Sequence, residues 1–131
     1  MADDHEYVAI VKRCYEEFNR GDFEAATQDA HPEIEVTRVG GFPPLKGRDA
    51  VIAWMAPDAL QDQTAEPQEF KLNDDRLFVT TSTYARGTES GLEMTVDVSQ
   101  VWIFEDGKVI RIESFLDRDE ALGAAGLPVD S

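Results

Sequence analysis

Leu92-Glu93-Met94-Thr95-Val96-Asp97-Val98-Ser99-Gln100-Val101-Trp102-Ile103-Phe104, followed by Glu105-Asp106-Gly107-Lys108 and then Val109 to Leu116, is the stretch that decides the fold. Successive side chains of a strand point to opposite faces, so Met94, Val96, Val98, Trp102 and Phe104 share one face, and Thr95, Asp97, Ser99, Val101 and Ile103 share the other. Neither face is cleanly water-facing. Asp106-Gly107 tolerates the backbone shape of a tight two-residue hairpin, so the long strand turns back antiparallel to the next. Toward the N-terminus, Leu77 to Ala85 and Glu69 to Asn73 have the same strand-like period, with turns at Asn73-Asp74-Asp75 and across Gly87 to Gly91. Four strands joined by three hairpins are predicted.

Ahead of Pro67 the period changes. Tyr7, Ile10, Val11, Cys14, Tyr15 and Phe18 recur at the spacing of one helical stripe, with Asp3 or Asp4 placed to cap its start. This helix should stop at Asn19-Arg20-Gly21, because glycine takes the left-handed shape that ends helices. Asp22 can cap a short second helix from Phe23 to Asp29, closed by Pro32. Glu33 to Val39 alternates as a half-buried strand, and Gly40-Gly41-Phe42-Pro43-Pro44 then breaks any regular ladder. Gly47-Arg48-Asp49 leads into a third helix carrying Val51, Ile52, Trp54 and Met55, which Pro57 kinks or ends. The tail from Asp119 to Leu127 reads as a short helix or packed arm.

This order of elements is an α+β plan with helices covering one face of the sheet. The two-sided apolar character of Leu92 to Phe104 predicts that one side of the sheet meets a second subunit. With 131 residues, one domain spanning 1–131 is expected. A net charge of -15, from 27 acidic and 12 basic residues, repels phosphate backbones and anionic lipid, so neither nucleic acid nor a membrane is an expected partner. No apolar run reaches the roughly 20 residues of a membrane span, and Met1-Ala2-Asp3-Asp4 lacks the layout of a secretion signal. Together with a lone Cys14, this predicts a cytoplasmic protein. The sequence has no cluster of His and Cys at metal spacing, no phosphate loop and no nucleophile elbow, so no metal and no cofactor are expected.

Several phrases in fixed order carry a resemblance. They are Tyr15-Glu16-Glu17-Phe18-Asn19-Arg20-Gly21-Asp22, His31-Pro32-Glu33, Leu45-Lys46-Gly47-Arg48-Asp49-Ala50-Val51, Val101 to Val109, and Phe115-Leu116-Asp117-Arg118-Asp119-Glu120-Ala121-Leu122 running to Leu127. In these the chain resembles the SnoaL-like branch of the nuclear transport factor 2-like superfamily, which includes ketosteroid isomerases and scytalone dehydratase. The resemblance implies a cone in which a strongly bent antiparallel sheet wraps the long N-terminal helix. Two further helices close a largely apolar pocket for a small-molecule ligand, and members commonly pair through the outer face of the sheet, which implies a homodimer here.

Ketosteroid isomerases need a carboxylate base and an oxyanion hole made of a tyrosine and a protonated aspartic acid. Laid on that pattern, the base position holds Arg38, the tyrosine position holds Cys14, and the second aspartate survives as Asp97. Arginine stays protonated and cannot act as the base, so that reaction should be absent. Scytalone dehydratase relies on histidines with no match at the corresponding places.

Asp97 is the candidate acid/base: read as a pocket carboxyl, burial raises its pKa. Read plainly, it is a solvent-facing strand residue with Thr95 and Ser99 as polar companions. Arg38 is a candidate for holding a carboxylate or enolate oxygen, or for neutralising Asp97, or is simply a solvated arginine at a strand end. Tyr15, Phe42, Trp54 and Met55 line the cavity under the fold hypothesis, and otherwise are core. Ser99 and Ser114 complete the ligand-binding candidates, and of Glu113 and Ser114 only one can face the cavity. Cys14 reads as inert packing and His31 as a capping or surface residue. Two functions follow: an isomerase, cyclase or hydratase acting on a compact apolar ligand with carbonyl or hydroxyl groups, or a non-catalytic dimeric binding module.

Overall fold

The structure is a computed structural model and describes residues 5–38, 42–55 and 60–129. Its first element, α1 (Glu6–Asn19), buries Val8 and Val11 completely. Each of these side chains contributes roughly 1.5–3 kcal/mol relative to exposure. His5 caps the helix, its Nδ1 accepting from the Tyr7 amide at 3.1 Å; Asp3 and Asp4, the expected caps, lie outside the described residues. Gly21 follows with φ 81°, the left-handed turn that the sequence implied. The short α2 (Phe23–Ala26) is capped by Asp22, whose carboxylate accepts from the Ala25 amide.

The strands that follow are β1 (Ala30–Val36) and β2 (Leu45–Lys46), and after α3 (Arg48–Met55) come β3 (Leu60–Asn73), β4 (Arg76–Gly87), β5 (Glu93–Glu105) and β6 (Lys108–Phe115). The chain ends in α4 (Arg118–Ala124), capped by Asp117. Six strands among the described residues form one curled, unclosed sheet in the order β2-β1-β6-β5-β4-β3. The last four pair antiparallel as the hairpin signals required. At Asp106-Gly107 the backbone takes φ 52° and 78°, the shape that favours this pair in a two-residue turn.

Three departures from the sequence reading have local causes. β1 begins at Ala30, with Pro32 inside it, where a closing proline was expected. It pairs parallel with β6, and the register is irregular between Ala30 and Glu35, so Pro32 sits where a missing amide costs little. β3 reaches back to Leu60 through Pro67 because it is an edge strand, with a register shift between Pro67 and Glu69. The two-residue β2 pairs with β1 through Glu35–Lys46 and Val36–Leu45, too short to leave an alternating pattern. Val39 and Pro57, assigned to the end of the first strand and of the third helix, lie outside the described residues.

Helices cover both faces of the sheet, where one face was expected. On the inner face, α1 and α3 meet Leu77, Val79, Trp102 and Phe104, and the ring of Tyr7 stacks on Phe104 at 3.9 Å. On the outer face, α4 lays Ala121, Leu122 and Ala125 over Phe78 and Val101, with Ile103 and Phe115 at the margin. The outward apolar residues of β5 are thus buried by the chain's own last helix. Arg118 ties α4 to β3 by a forked pair with Glu69, with contacts of 2.8–3.2 Å.

Candidate functional site

Val8 and Val11 of the α1 stripe are fully buried, whereas Cys14, Tyr15 and Phe18 further along it line a cavity of about 550 Å³. That volume is in the usual range for small-molecule sites. The opposite wall is the inner face of β4 and β5, where Thr81, Thr83, Val96 and Val98 are too short to fill the gap. Trp54 and Met55 of α3 close one side, and Ile112 and Ser114 of β6 another. Met94, Val96, Trp54 and Phe42 line this space while remaining exposed, which places them at its mouth.

Tyr15, Thr81 and Gln100 form one hydrogen-bonded group at the floor of the cavity. The Tyr15 hydroxyl hydrogen-bonds Gln100 Oε1 and lies 3.2 Å from Thr81 Oγ1. Trp102 Nε1 donates to the same Gln100 oxygen at 3.0 Å. Since the single phenolic proton goes to Gln100, the Thr81 hydroxyl donates to Tyr15. Burial is the main force raising the Tyr15 pKa above its ordinary 10.0, so the phenol stays protonated at neutral pH. The Cys14 thiol is likewise pushed up to about 12, first by burial and then by the negative charge of Asp29.

Arg38 is the one charged residue among the described lining residues. Its Nη2 donates to the Pro43 carbonyl at 2.7 Å, its guanidinium carbon lies 5.1 Å from the Phe42 ring centroid, and its buried Nε has no hydrogen-bond partner. It forms no ion pair with Asp97.

Asp97 does not point into the cavity, and this corrects the expectation on which its acid/base role rested. Cavity-lining residues of β5 are Met94, Val96, Val98, Gln100 and Trp102, so the odd-numbered Asp97 is on the outer face, exposed, opposite Ser82 of β4. Ser99 shares that face; it is buried beside Thr80 and Phe115 and does not line the cavity. The structure brings Tyr15, Arg38, Phe42, Trp54, Met55 and Ser114 together around the cavity. Glu113 turns outward, its carboxylate 3.4 Å from Arg111 Nε, which leaves Ser114 as the inward member of that pair. His31 lies in β1, its Nδ1 accepting from the Glu33 amide. Thr81 and Gln100 were missed, although Gln100 falls on the same alternation as Val98 and Trp102. No described group of three or more His, Cys, Asp or Glu side chains is placed to hold a metal ion.

The cavity is formed between helices and the inner face of a curled sheet, and the comparisons with known proteins agree with that architecture. A model of the SnoaL-like domain matches residues 11–112. The chain belongs to the SnoaL-like domain family. Among solved SnoaL-like and related folds, a nuclear transport factor 2-like protein of unknown function from Burkholderia pseudomallei superposes with a TM-score of 0.77 at 24% identity, covering 91% of this chain and 96% of that one. TerC, co-crystallised with polyporic acid, gives 0.74 at 21% identity, with 93% and 99% covered. SalBIII, an epoxide hydrolase/cyclase-like enzyme with a role in pyran ring formation in the polyether salinomycin, gives 0.76 at 18% identity, with 88% and 93% covered. At these identities the likeness establishes the SnoaL-like fold alone. No curated protein matches the chain. Among the described residues no helix is long and apolar enough to cross a membrane.

Proposed function

We propose that this SnoaL-like domain binds a compact small molecule with an apolar body and one or two oxygen atoms. The observation that carries this reading is the cavity of about 550 Å³, whose walls are mostly apolar and whose lining includes the hydrogen-bonded group Tyr15, Thr81 and Gln100 and one arginine, Arg38. Such a site holds an apolar skeleton by burial and orients it by a few hydrogen bonds. The guanidinium of Arg38 favours a ligand whose outer end carries negative charge or a carbonyl dipole.

Isomerase, cyclase or hydratase chemistry through a carboxylate base finds no support in this cavity. Its described lining contains no aspartate, glutamate or histidine, and the protons of Tyr15 and Cys14 are held through neutral pH. The non-catalytic binding reading is therefore the stronger one. The co-crystallisation of TerC with polyporic acid and the role of the epoxide hydrolase/cyclase-like SalBIII in pyran ring formation support a small-molecule ligand by likeness of fold. A cytoplasmic setting is consistent with the lone cysteine. A homodimer through the outer face would rest on polar residues such as Ser82, Thr95 and Asp97, because α4 covers the apolar part of that face.

Native mass spectrometry of the protein as purified tests the binding reading. A retained molecule, released when the protein is unfolded, is the expected result. A bare chain that also gains no mass with an excess of 1-tetralone, a bicyclic ketone small enough for the cavity, would count against it.

A further inference from the structure

Gln100 presents one face of its amide to its neighbours and the other to the cavity. Its oxygen accepts two hydrogen bonds, from the Tyr15 hydroxyl and from Trp102 Nε1. The indole N–H can only donate, so the amide atom 3.0 Å from it must be the oxygen, and the opposite orientation of the side chain would set two donors against each other. The Thr81 hydroxyl, donating to Tyr15, completes the orientation of the phenolic proton toward Gln100. The Gln100 Nε2 group is left with no partner among the described residues, in a side chain that lines the cavity. That N–H group is open to the cavity, and a ligand that displaces water from it without offering an acceptor incurs an energetic penalty, which a ligand oxygen avoids.

We infer that Gln100 Nε2 is a pre-oriented donor that selects ligands with a carbonyl oxygen at their inner end, held in register by Tyr15 and Trp102 as positioning residues. The inference rests on the proposed binding function and narrows it to one chemical class, apolar ketones and related carbonyl compounds. Both oxygen lone-pair directions of the amide are occupied by protein donors, and turning the side chain over to serve a ligand donor would leave the indole N–H of Trp102 without an acceptor. The floor therefore discriminates against a skeleton that lacks oxygen at that position, because the donor then stays unpaired.

The test compares 1-tetralone with tetralin, two ligands of the same bicyclic shape that differ by a carbonyl in place of a methylene. Affinities are measured by NMR titration on the wild type, Q100L and Y15F. The wild type should favour the ketone about five- to tenfold beyond the preference expected from partitioning, the worth of one net hydrogen bond. With its folding checked separately by the dispersion of its NMR spectrum, Q100L should lose that preference, measured as the ratio of the two affinities. Y15F should retain only part of it. In the wild type the Gln100 side-chain amide resonance should move with the ketone and stay in place with the hydrocarbon.

An unchanged preference in Q100L, or an amide resonance indifferent to the ketone, would overturn the role of Gln100 and leave the binding function standing. Failure of both ligands to bind the wild type would instead remove the binding function, and this inference with it.

Discussion

Asn19 and Ala65 hydrogen-bond to each other in both directions: Asn19 Nδ2 donates to the Ala65 carbonyl at 3.0 Å, and the Ala65 amide donates to Asn19 Oδ1 at 2.8 Å. The side chain at the end of α1 thus behaves as one residue of a neighbouring strand and fastens the helix to the edge strand β3. Ala65 itself is buried and lines the cavity, so the clasp holds the wall in place as well as the helix. Asn19→Ala should cost about 1–3 kcal/mol, since the Ala65 amide and carbonyl both lose a partner. Urea denaturation should show a lower midpoint with an unchanged slope.

Removing the cover of the outer face has a larger effect. Leu122 is fully buried in the cluster that α4 forms over Phe78 and Val101. Leu122→Ala should lose about 2–5 kcal/mol, the range for deleting buried methyl groups from a packed site. Thermal melting followed by circular dichroism reads this loss, and light scattering should detect self-association as Phe78 and Val101 become accessible.

Asp97 provides a control for the placement of the site. It is exposed on the outer face, so Asp97→Asn should change stability by no more than about 0.5 kcal/mol and leave 1-tetralone affinity within about twofold. A marked loss of ligand binding in this variant would mean that the strand faces are reversed.

High pH should weaken the fold in a defined window. The folded chain holds the Cys14 proton more tightly than the unfolded chain does, with a pKa of about 12 against an ordinary 9.0, and Tyr15 is shifted in the same direction. Stability from these groups is therefore complete below about pH 9 and falls as pH rises from 9.0 toward 12. Tyr15→Phe should flatten part of that decline in a series of urea titrations. The same shift leaves very little thiolate at neutral pH, so iodoacetamide should label native protein at least about tenfold more slowly than unfolded protein.

Much of the architecture was readable because it depends on local period and turn chemistry. The stripe from Tyr7 to Phe18 specified α1, Gly21 ended it, and Asp106-Gly107 fixed the last hairpin, all without reference to distant residues. The two faces of β5 were also sorted correctly, with Trp102 and Phe104 on one and Val101 and Ile103 on the other. Which face enclosed the cavity was harder to read, because both were apolar and the covering element, α4, came from a tail with little pattern of its own. Asp97 was drawn inward by analogy with a family position, although strand parity already grouped it with Val101. Gln100 was passed over since an amide among valines gives no signal until Tyr15, distant in sequence, is known to reach it.

The space between the second half of α1 and the inner face of β4 and β5 is proposed to bind a compact apolar carbonyl compound. Isothermal titration calorimetry of the wild-type protein with 1-tetralone at several temperatures tests it most directly. Saturable one-to-one binding is expected, with a negative heat-capacity change, the mark of apolar surface leaving water. Titrations that show no saturable heat at any temperature, with the protein folded throughout, would contradict it.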